Sequence, residues 1–328
     1  MRAAVVERYG GPEVVALREV RDPEIRDDEL LVRVEATTIG PTDAAARSGR
    51  PAFARLYFGL MRPRHAVLGF EFAGVVERVG SSVRRFAPGD RVHGALAPEP
   101  GAHAEFVRIA EGGLVAHVPA GWDPVDAVAI VDGFLTAIPF LRDGGRVRQG
   151  DRVLVNGASG AVGSAAVQFA KHLGAEVVGV CGPAHLDLVR SLGADRVVDY
   201  TREDVATTGE RYDVVFDAVG TRSFRECRPV LTADGIYLST VPSLPVLLRT
   251  RRARSTDSGQ RAANLFTGLH PLAEKAADLA LVGELAAAGA IRPVIDRVLA
   301  LDDVVEAHRI VDGGHKGGNL VMAISAAA

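Results

Sequence analysis

The sequence predicts an α/β chain of two domains: a barrel-like one built from short strands, and a doubly wound parallel sheet. Three observations carry this. Short apolar runs broken by Gly and Pro turns fill the chain up to Val118. The stretch Asp151–Lys171, DRVLVNGASGAVGSAAVQFAK, reads as strand, glycine turn, helix. From Glu176 to Val241, strand-like and helix-like segments alternate, which is the pattern of a parallel sheet with crossover helices. A length of 328 residues suits two domains of ordinary size.

The elements follow in order. AAVVERYG, EVVALREV and ELLVRVEA have period-two apolar character and β-branched residues, so they predict antiparallel strands separated by turns at Gly10-Gly11-Pro12, Asp22-Pro23 and Asp27-Asp28. GPTDAAARSG predicts a loop entering a short helix that starts at Pro41 or Thr42 and stops at Gly49. Residues 51–66 lack clear periodicity and read as helix or loop. LGFEFAGVVERV resumes as strand, and further strands are expected near 102–109 and 114–118, which completes a compact barrel. Asp123–Leu141 predicts a helix broken near Pro139. Beyond the glycine turn, strands are expected at EVVGVC, RVVDY, DVVFDAVG and GIYLSTV, with helices at HLDLVRSL and TRSFRECRPVL. Residues 242–268 are irregular and carry the basic run Arg249, Arg251, Arg252, Arg254. The run reads as a solvated loop or as a dock for an acidic partner. A helix over Pro271–Ala288, strands near IRPVID and NLVMAI, and a helix from Leu301 to Val311 close the chain.

Bulk properties exclude several classes. Net charge is −3, so no overall field favours nucleic acid or an anionic membrane. No apolar run is expected to reach the roughly 20 residues of a bilayer span, and no apolar signal segment is read at the N-terminus. Two cysteines, Cys181 and Cys227, suggest no disulfide framework. The expectation is a cytoplasmic protein.

The turn at Gly157, Gly160 and Gly163 has the form of a dinucleotide-binding unit. Gly160 lets backbone approach a pyrophosphate, Gly163 lets helix and strand pack, and the N–H groups at the helix start favour phosphate. Ala158 stands where the strict G-x-G-x-x-G pattern has its first glycine.

LGFEFAGVVERVGSSVRRFAPGDRVHG, GASGAVGSAAVQFAKHLGAEVVGV, LVRSLGADRVVDY, YDVVFDAVG and the terminal IRPVIDRVLALDDVVEAHRIVDGGHKGGNLVMAI together resemble the medium-chain dehydrogenase/reductase superfamily, in its zinc-free quinone oxidoreductase-like branch. The resemblance spans nearly the whole chain. It implies a GroES-like catalytic domain from residues 1–122 and 269–328, and a Rossmann nucleotide-binding domain from 123–268. It also implies a homodimer acting on a small-molecule substrate; that no nucleic-acid or membrane partner is expected rests on the charge and hydropathy above.

The family's zinc ligands would fall on Gly40, Phe70 and Asp132, and one carboxylate does not hold catalytic zinc. His93, His103 and His117 have no metal-site spacing. The resemblance places cofactor contacts at Gly157, Ser159, Gly160, Ala161, Val162 and Gly163, at Val219 and Gly220, and at Leu238, Ser239 and Thr240, with Thr136 and Asn319 also in reach. No Asp or Glu follows strand EVVGVC, where an NAD site usually has one. Gly182, His185 and Tyr200 stand around that point, so NADPH is expected, with NADH as the alternative. The family's Asn and Tyr in the first helix are Gly40 and Ala45 here. That leaves Thr42 as a candidate hydroxyl donor or helix cap, and Asp43 as catalytic or structural. Phe70 and Phe134 are candidate pocket walls or plain core. The expected activity is hydride transfer to a quinone, enone or enoyl thioester. A non-catalytic NADPH-binding sensor and a metal-free alcohol dehydrogenase remain as alternatives.

Overall fold

The structure is a computed structural model that describes residues 1–97, 99–241, 259–265 and 267–324. The basic run at Arg249–Arg254 lies outside the described residues. The chain divides into two compact units, one of Met1–Asp132, Pro271–Ala287 and Arg292–Ala328, the other of Gly133–His270 and Ala288–Ile291.

The first unit is built around β3 (Glu29–Ile39), whose side chains are nearly all buried. It pairs antiparallel with β4 (Glu71–Val79), β6 (Phe106–Ala110) and β15 (Asn319–Ala323), so the end of the chain returns beside its beginning. β5 (Arg91–Ala95), β7 (Leu114–His117) and β14 (Ile295–Ala300) complete a seven-stranded sheet, and β1 (Arg2–Val6) and β2 (Val15–Glu19) form a separate hairpin. Leu30, Val32, Phe72, Val92, Leu320 and Met322 fill its interior, and helix α8 (Val304–Gly313) covers them with Val304, Ala307 and Val311. β14 starts later than the apolar pattern suggests, because Pro293 lacks the N–H a ladder needs.

The second unit holds a six-stranded parallel sheet in the order β10-β9-β8-β11-β12-β13. These are β8 (Arg152–Asn156), β9 (Glu176–Cys181), β10 (Arg196–Asp199), β11 (Tyr212–Asp217), β12 (Leu231–Ser239) and β13 (Arg261–Ala263). The order is that of a doubly wound dinucleotide-binding fold. β12 is an interior strand, and the edge beside it is the short β13. α5 (Ala161–His172) and α6 (Leu186–Ser191) are the crossover helices after β8 and β9.

Several elements depart from the sequence reading. The helix expected over TRSFRECRPVL is only the single turn α7 (Phe224–Cys227), which tightens to a 3-10 turn where Pro229 enters. The helix expected over 123–141 is α3 (Pro124–Ala129), capped by the Asp123 carboxylate, then α4 (Val131–Pro139), which widens into a π turn after Pro139. Contrary to expectation, Pro124–Gly144 is long and apolar enough by composition to cross a bilayer, with mean hydropathy 1.6 in its best window. That window is 67% buried within the protein, as core helices often are.

Candidate active site

Every strand of the parallel sheet ends on one edge, and Asn156 of β8 lies in register with Asp217 of β11 at the point where strand order reverses. Ligands of open α/β sheets bind outside this edge. Gly157 takes a φ of 79°, which turns the chain out of β8. A Cβ on Gly163 would lie 2.0 Å from the Gly157 carbonyl oxygen, so only glycine lets α5 dock there. A Cβ on Gly160 would meet nothing nearer than that same oxygen at 3.6 Å, so the turn is open on this side. Gly160 is the N-cap of α5 and no side chain caps it, leaving the first-turn N–H groups of Ala161 and Val162 for a ligand. Ser159 is buried beside them. Ala158, the departure from the glycine pattern, is accommodated by Gly179 on β9, where an added Cβ would lie 3.1 Å from the Ala158 methyl.

The neighbouring strand ends build the rest of the edge. Gly182 follows β9, and a Cβ there would lie 3.4 Å from the Tyr200 hydroxyl, so Tyr200, half-exposed, stands over Gly182. His185 begins α6 close by in the chain. Val219 is exposed and its side chain stands over Gly157, while Gly220 takes a φ of 73°. Thr240 Oγ1 donates to the Ala218 carbonyl at 3.1 Å, and Ser239 Oγ to that of Val241 at 3.2 Å. Leu238 is fully buried in the sheet, so its side chain faces core and not the open edge. Gly133 of α4 approaches α5 closely, since a Cβ there would lie 2.7 Å from the Ala161 carbonyl oxygen. Thr136 is one turn further along α4 and half-buried, and Phe134 is core at 3% exposure.

Sequence reasoning missed the residue that organises this edge. Asp217 is fully buried and accepts from Asn156 Nδ2 at 2.8 Å, Gly220 N at 2.9 Å, Arg222 N at 3.0 Å and the Tyr237 hydroxyl at 2.9 Å. It thereby fixes the loop that carries Val219 and Gly220. A lone carboxylate closing the apolar run DVVF was the available signal. Both cysteines are buried, and burial pushes Cys181 up to about 11 and Cys227 up to about 12.

The first unit carries the candidate acid–base residues. Helix α1 (Pro41–Ser48) starts from Gly40, and Asp43, not Thr42, serves this end: its Oδ2 accepts from Gly40 N at 2.9 Å. Thr42 is therefore not a cap. It is exposed, and among the described residues nothing binds its hydroxyl. Asp43 is buried, with Oδ1 accepting from Gly69 N at 3.1 Å and lying 3.9 Å from His103 Nε2. Burial raises its pKa against the opposing pull of His103 and these N–H groups. Glu71, another residue sequence reasoning passed over, accepts from Thr38 Oγ1 at 2.5 Å. Burial, then the carboxylates of Asp132 and Asp43, push Glu71 well above the usual carboxylate range. Asp132 is raised by burial and by Asp43, while Lys316 opposes this.

The remaining candidates have partners within the first unit. Asn319 donates both to Ala129 O at 2.8 Å and to Val294 O at 3.0 Å, so its amide N–H groups tie the returning strand to α3. His93 is fully buried with Nδ1 on the Ala127 carbonyl at 2.9 Å, which requires the Nδ1–H tautomer. His103 is equally buried and places Nε2 on the Thr38 carbonyl at 2.9 Å. His117 packs on Phe86 with ring centroids 4.9 Å apart and planes tilted by 38°. Phe70 is half-buried, 6.3 Å from the Phe58 ring. Among the described residues no group of three His, Cys, Asp or Glu side chains is placed to hold a metal.

Two family models match this chain: the alcohol dehydrogenase GroES-like domain over residues 26–120 and the zinc-binding dehydrogenase over 192–322. The quinone oxidoreductase of Pseudomonas aeruginosa is 37% identical over 238 residues, covering 70% of this chain and 70% of that protein. The chain belongs to the medium-chain dehydrogenase/reductase superfamily. Within this superfamily it is quinone oxidoreductase-like. The chloroplastic NADPH-dependent alkenal/one oxidoreductase of Arabidopsis thaliana is 35% identical over 234 residues, 67% of this chain, although the chain spans only 58% of that relative. The solved quinone oxidoreductase of Coxiella burnetii superposes with a TM-score of 0.87 at 27% identity, over 99% of both chains. The superfamily's two-domain α/β architecture, GroES-like and Rossmann-like, is the one seen here.

Proposed function

We propose that this chain transfers hydride from NADPH to the β-carbon of a conjugated carbonyl, a quinone, enone or enoyl thioester, without zinc. The observation that carries the reading is the strand edge at the switch point. It combines an open glycine turn, an uncapped helix start and a Tyr200–Gly182 corner where β9 itself ends without the Asp or Glu of an NAD site. NADPH, when bound, supplies the hydride; the protein supplies position and electrostatics. Gly157–Gly163 would hold the pyrophosphate, Gly182 and Tyr200 the phosphorylated ribose, and Val219, Gly220, Ser239 and Thr240 the strand-end contacts.

A metal-free site favours a conjugated acceptor. Hydride added at the β-carbon leaves the charge as an enolate, which a single hydrogen-bond donor stabilises, and solvent then supplies the proton. The exposed Thr42 hydroxyl, unbound among the described residues, is the candidate for that donor. Gly40 and Phe70 offer no ligand atom at the family's metal positions, which supports zinc-free chemistry. A cytoplasmic homodimer, joined along the sheet edge beyond β12, completes the proposal.

Titration of chelator-treated protein with NADPH and NADH, followed by NADPH consumption on quinones, enones and 2-enoyl thioesters, tests this. Tighter NADPH binding with turnover is expected. No turnover on any acceptor, or activity lost to chelator and restored by zinc, overturns it. Thr42→Val is expected to lower kcat about 10- to 100-fold while NADPH affinity holds; an unchanged kcat removes Thr42 from the mechanism.

A further inference from the structure

Segment 50–65, RPAFARLYFGLMRPRH, carries Arg50, Arg55, Arg62 and Arg64, and no Asp or Glu occurs between Asp43 and Glu71. Its helix α2 (Ala54–Phe58) is held to the first unit by its smaller side. Ala54 is buried, Phe58 packs on the core near Phe70, and the Tyr9 hydroxyl donates to the Gly59 carbonyl. The large apolar side chains point the other way. Phe53, Leu56, Tyr57, Leu60 and Met61 are 53%, 74%, 50%, 68% and 92% exposed. They fall within nine residues: Phe53 just before α2, Leu56 and Tyr57 on it, and Leu60 and Met61 just past Gly59, whose φ of 127° ends the helix. Single exposed leucines need no explanation, but a cluster of large exposed apolar side chains marks a binding surface.

We propose that this face docks on an anionic lipid surface. The charge pattern selects the occupant. Arg55 is engaged with Tyr9, its guanidinium 4.8 Å from the ring centroid. Arg50, Arg62 and Arg64 are exposed, and among the described residues their guanidinium groups have no hydrogen-bond or ion-pair partner. Apolar side chains flanked on both sides by free arginines suit a bilayer interface, where the former enter the acyl boundary and the latter stay with lipid phosphates. A second copy is disfavoured, because a two-fold contact through this face would set arginines against arginines. The net charge of −3, which argued against membrane contact, averages over the chain and hides this segment. The inference stands independently of the reductase reading.

Flotation of the full chain with vesicles tests it. Phosphatidylcholine vesicles mixed with phosphatidylglycerol should carry the protein at low salt and release it at high salt. Vesicles of phosphatidylcholine alone should not carry it. Arg62→Gln and Arg64→Gln should each weaken binding about fivefold. Leu60→Asp with Met61→Asp should abolish binding while melting temperature and NADPH affinity hold, because both side chains point to solvent. Absence of flotation on the mixed vesicles overturns the proposal, as does flotation insensitive to these substitutions. Two further results would also replace the lipid: a dimer that Leu60→Asp with Met61→Asp converts to monomer, or an acidic protein partner that binds this face when vesicles do not.

Discussion

Gly160 and Gly163 stand three residues apart at the start of α5, and adding one methyl group to each has opposite expected consequences. Gly163→Ala places a carbon against the Gly157 carbonyl oxygen. It should cost about 1–3 kcal/mol and lower the melting temperature. Gly160→Ala adds its methyl to open space, so the melt should hold while NADPH affinity falls about tenfold. Equal effects in the two variants, by melting and fluorescence titration, would mean that the turn is not a phosphate cradle. Glu71 gives a second contrast. Its folded pKa lies above the unfolded value, so the stability it contributes is present in full below the ordinary carboxylate range and is lost as pH rises through the raised value. Glu71→Gln keeps an acceptor for Thr38 and removes the charge beside Asp132 and Asp43. The variant should match the wild type near pH 4 and melt about 2 °C higher at pH 8. Parallel melting curves across that range would contradict this assignment of the shift.

At the scale of elements, the loop after β11 is held by one buried carboxylate, and its donors come from β8, β12 and the loop itself. Tyr237→Phe deletes one donor to Asp217 and leaves the ring packed on Phe224. A loss of about 1.5–3 kcal/mol is expected from a hydrogen bond to a charged group, together with weaker NADPH binding, because the loop carrying Val219 and Gly220 loosens. Denaturant unfolding unchanged from wild type would show that the Asn156 and backbone donors suffice. Elements with strong periodicity were legible in the sequence: β8, β9 and α5 were read nearly to the residue, since an apolar run between glycines admits few other states, and β11 was placed but read three residues too far, to Gly220. Short elements were read unevenly. α1 starts at Pro41 and is stopped by Gly49 as its residues led one to expect, whereas α7 yields to a 3-10 turn at Pro229, and that Asp43 rather than Thr42 folds back on the start of α1 is a contact residue type alone leaves open.

For the molecule as a whole, local pattern recovered the two architectures, and the glycine turn located the candidate cofactor edge. What stayed hidden was long-range. The buried acid cluster depends on Asp43, Glu71 and Asp132 meeting from distant parts of the chain, and Asp217 depends on pairings between strands. The buried thiols carry a further consequence. Quinones and enones are Michael acceptors that alkylate accessible thiolates. With values pushed up to about 11 and about 12, Cys181 and Cys227 stay protonated at neutral pH, and the residues are buried as well. An enzyme that handles such electrophiles is thereby spared adduct formation by its own substrates. Incubation with excess enone without NADPH should leave the intact mass unchanged in the folded protein and add up to two adducts once it is unfolded. Rapid labelling of the native chain would show that either cysteine is reached by motions the fold does not prevent.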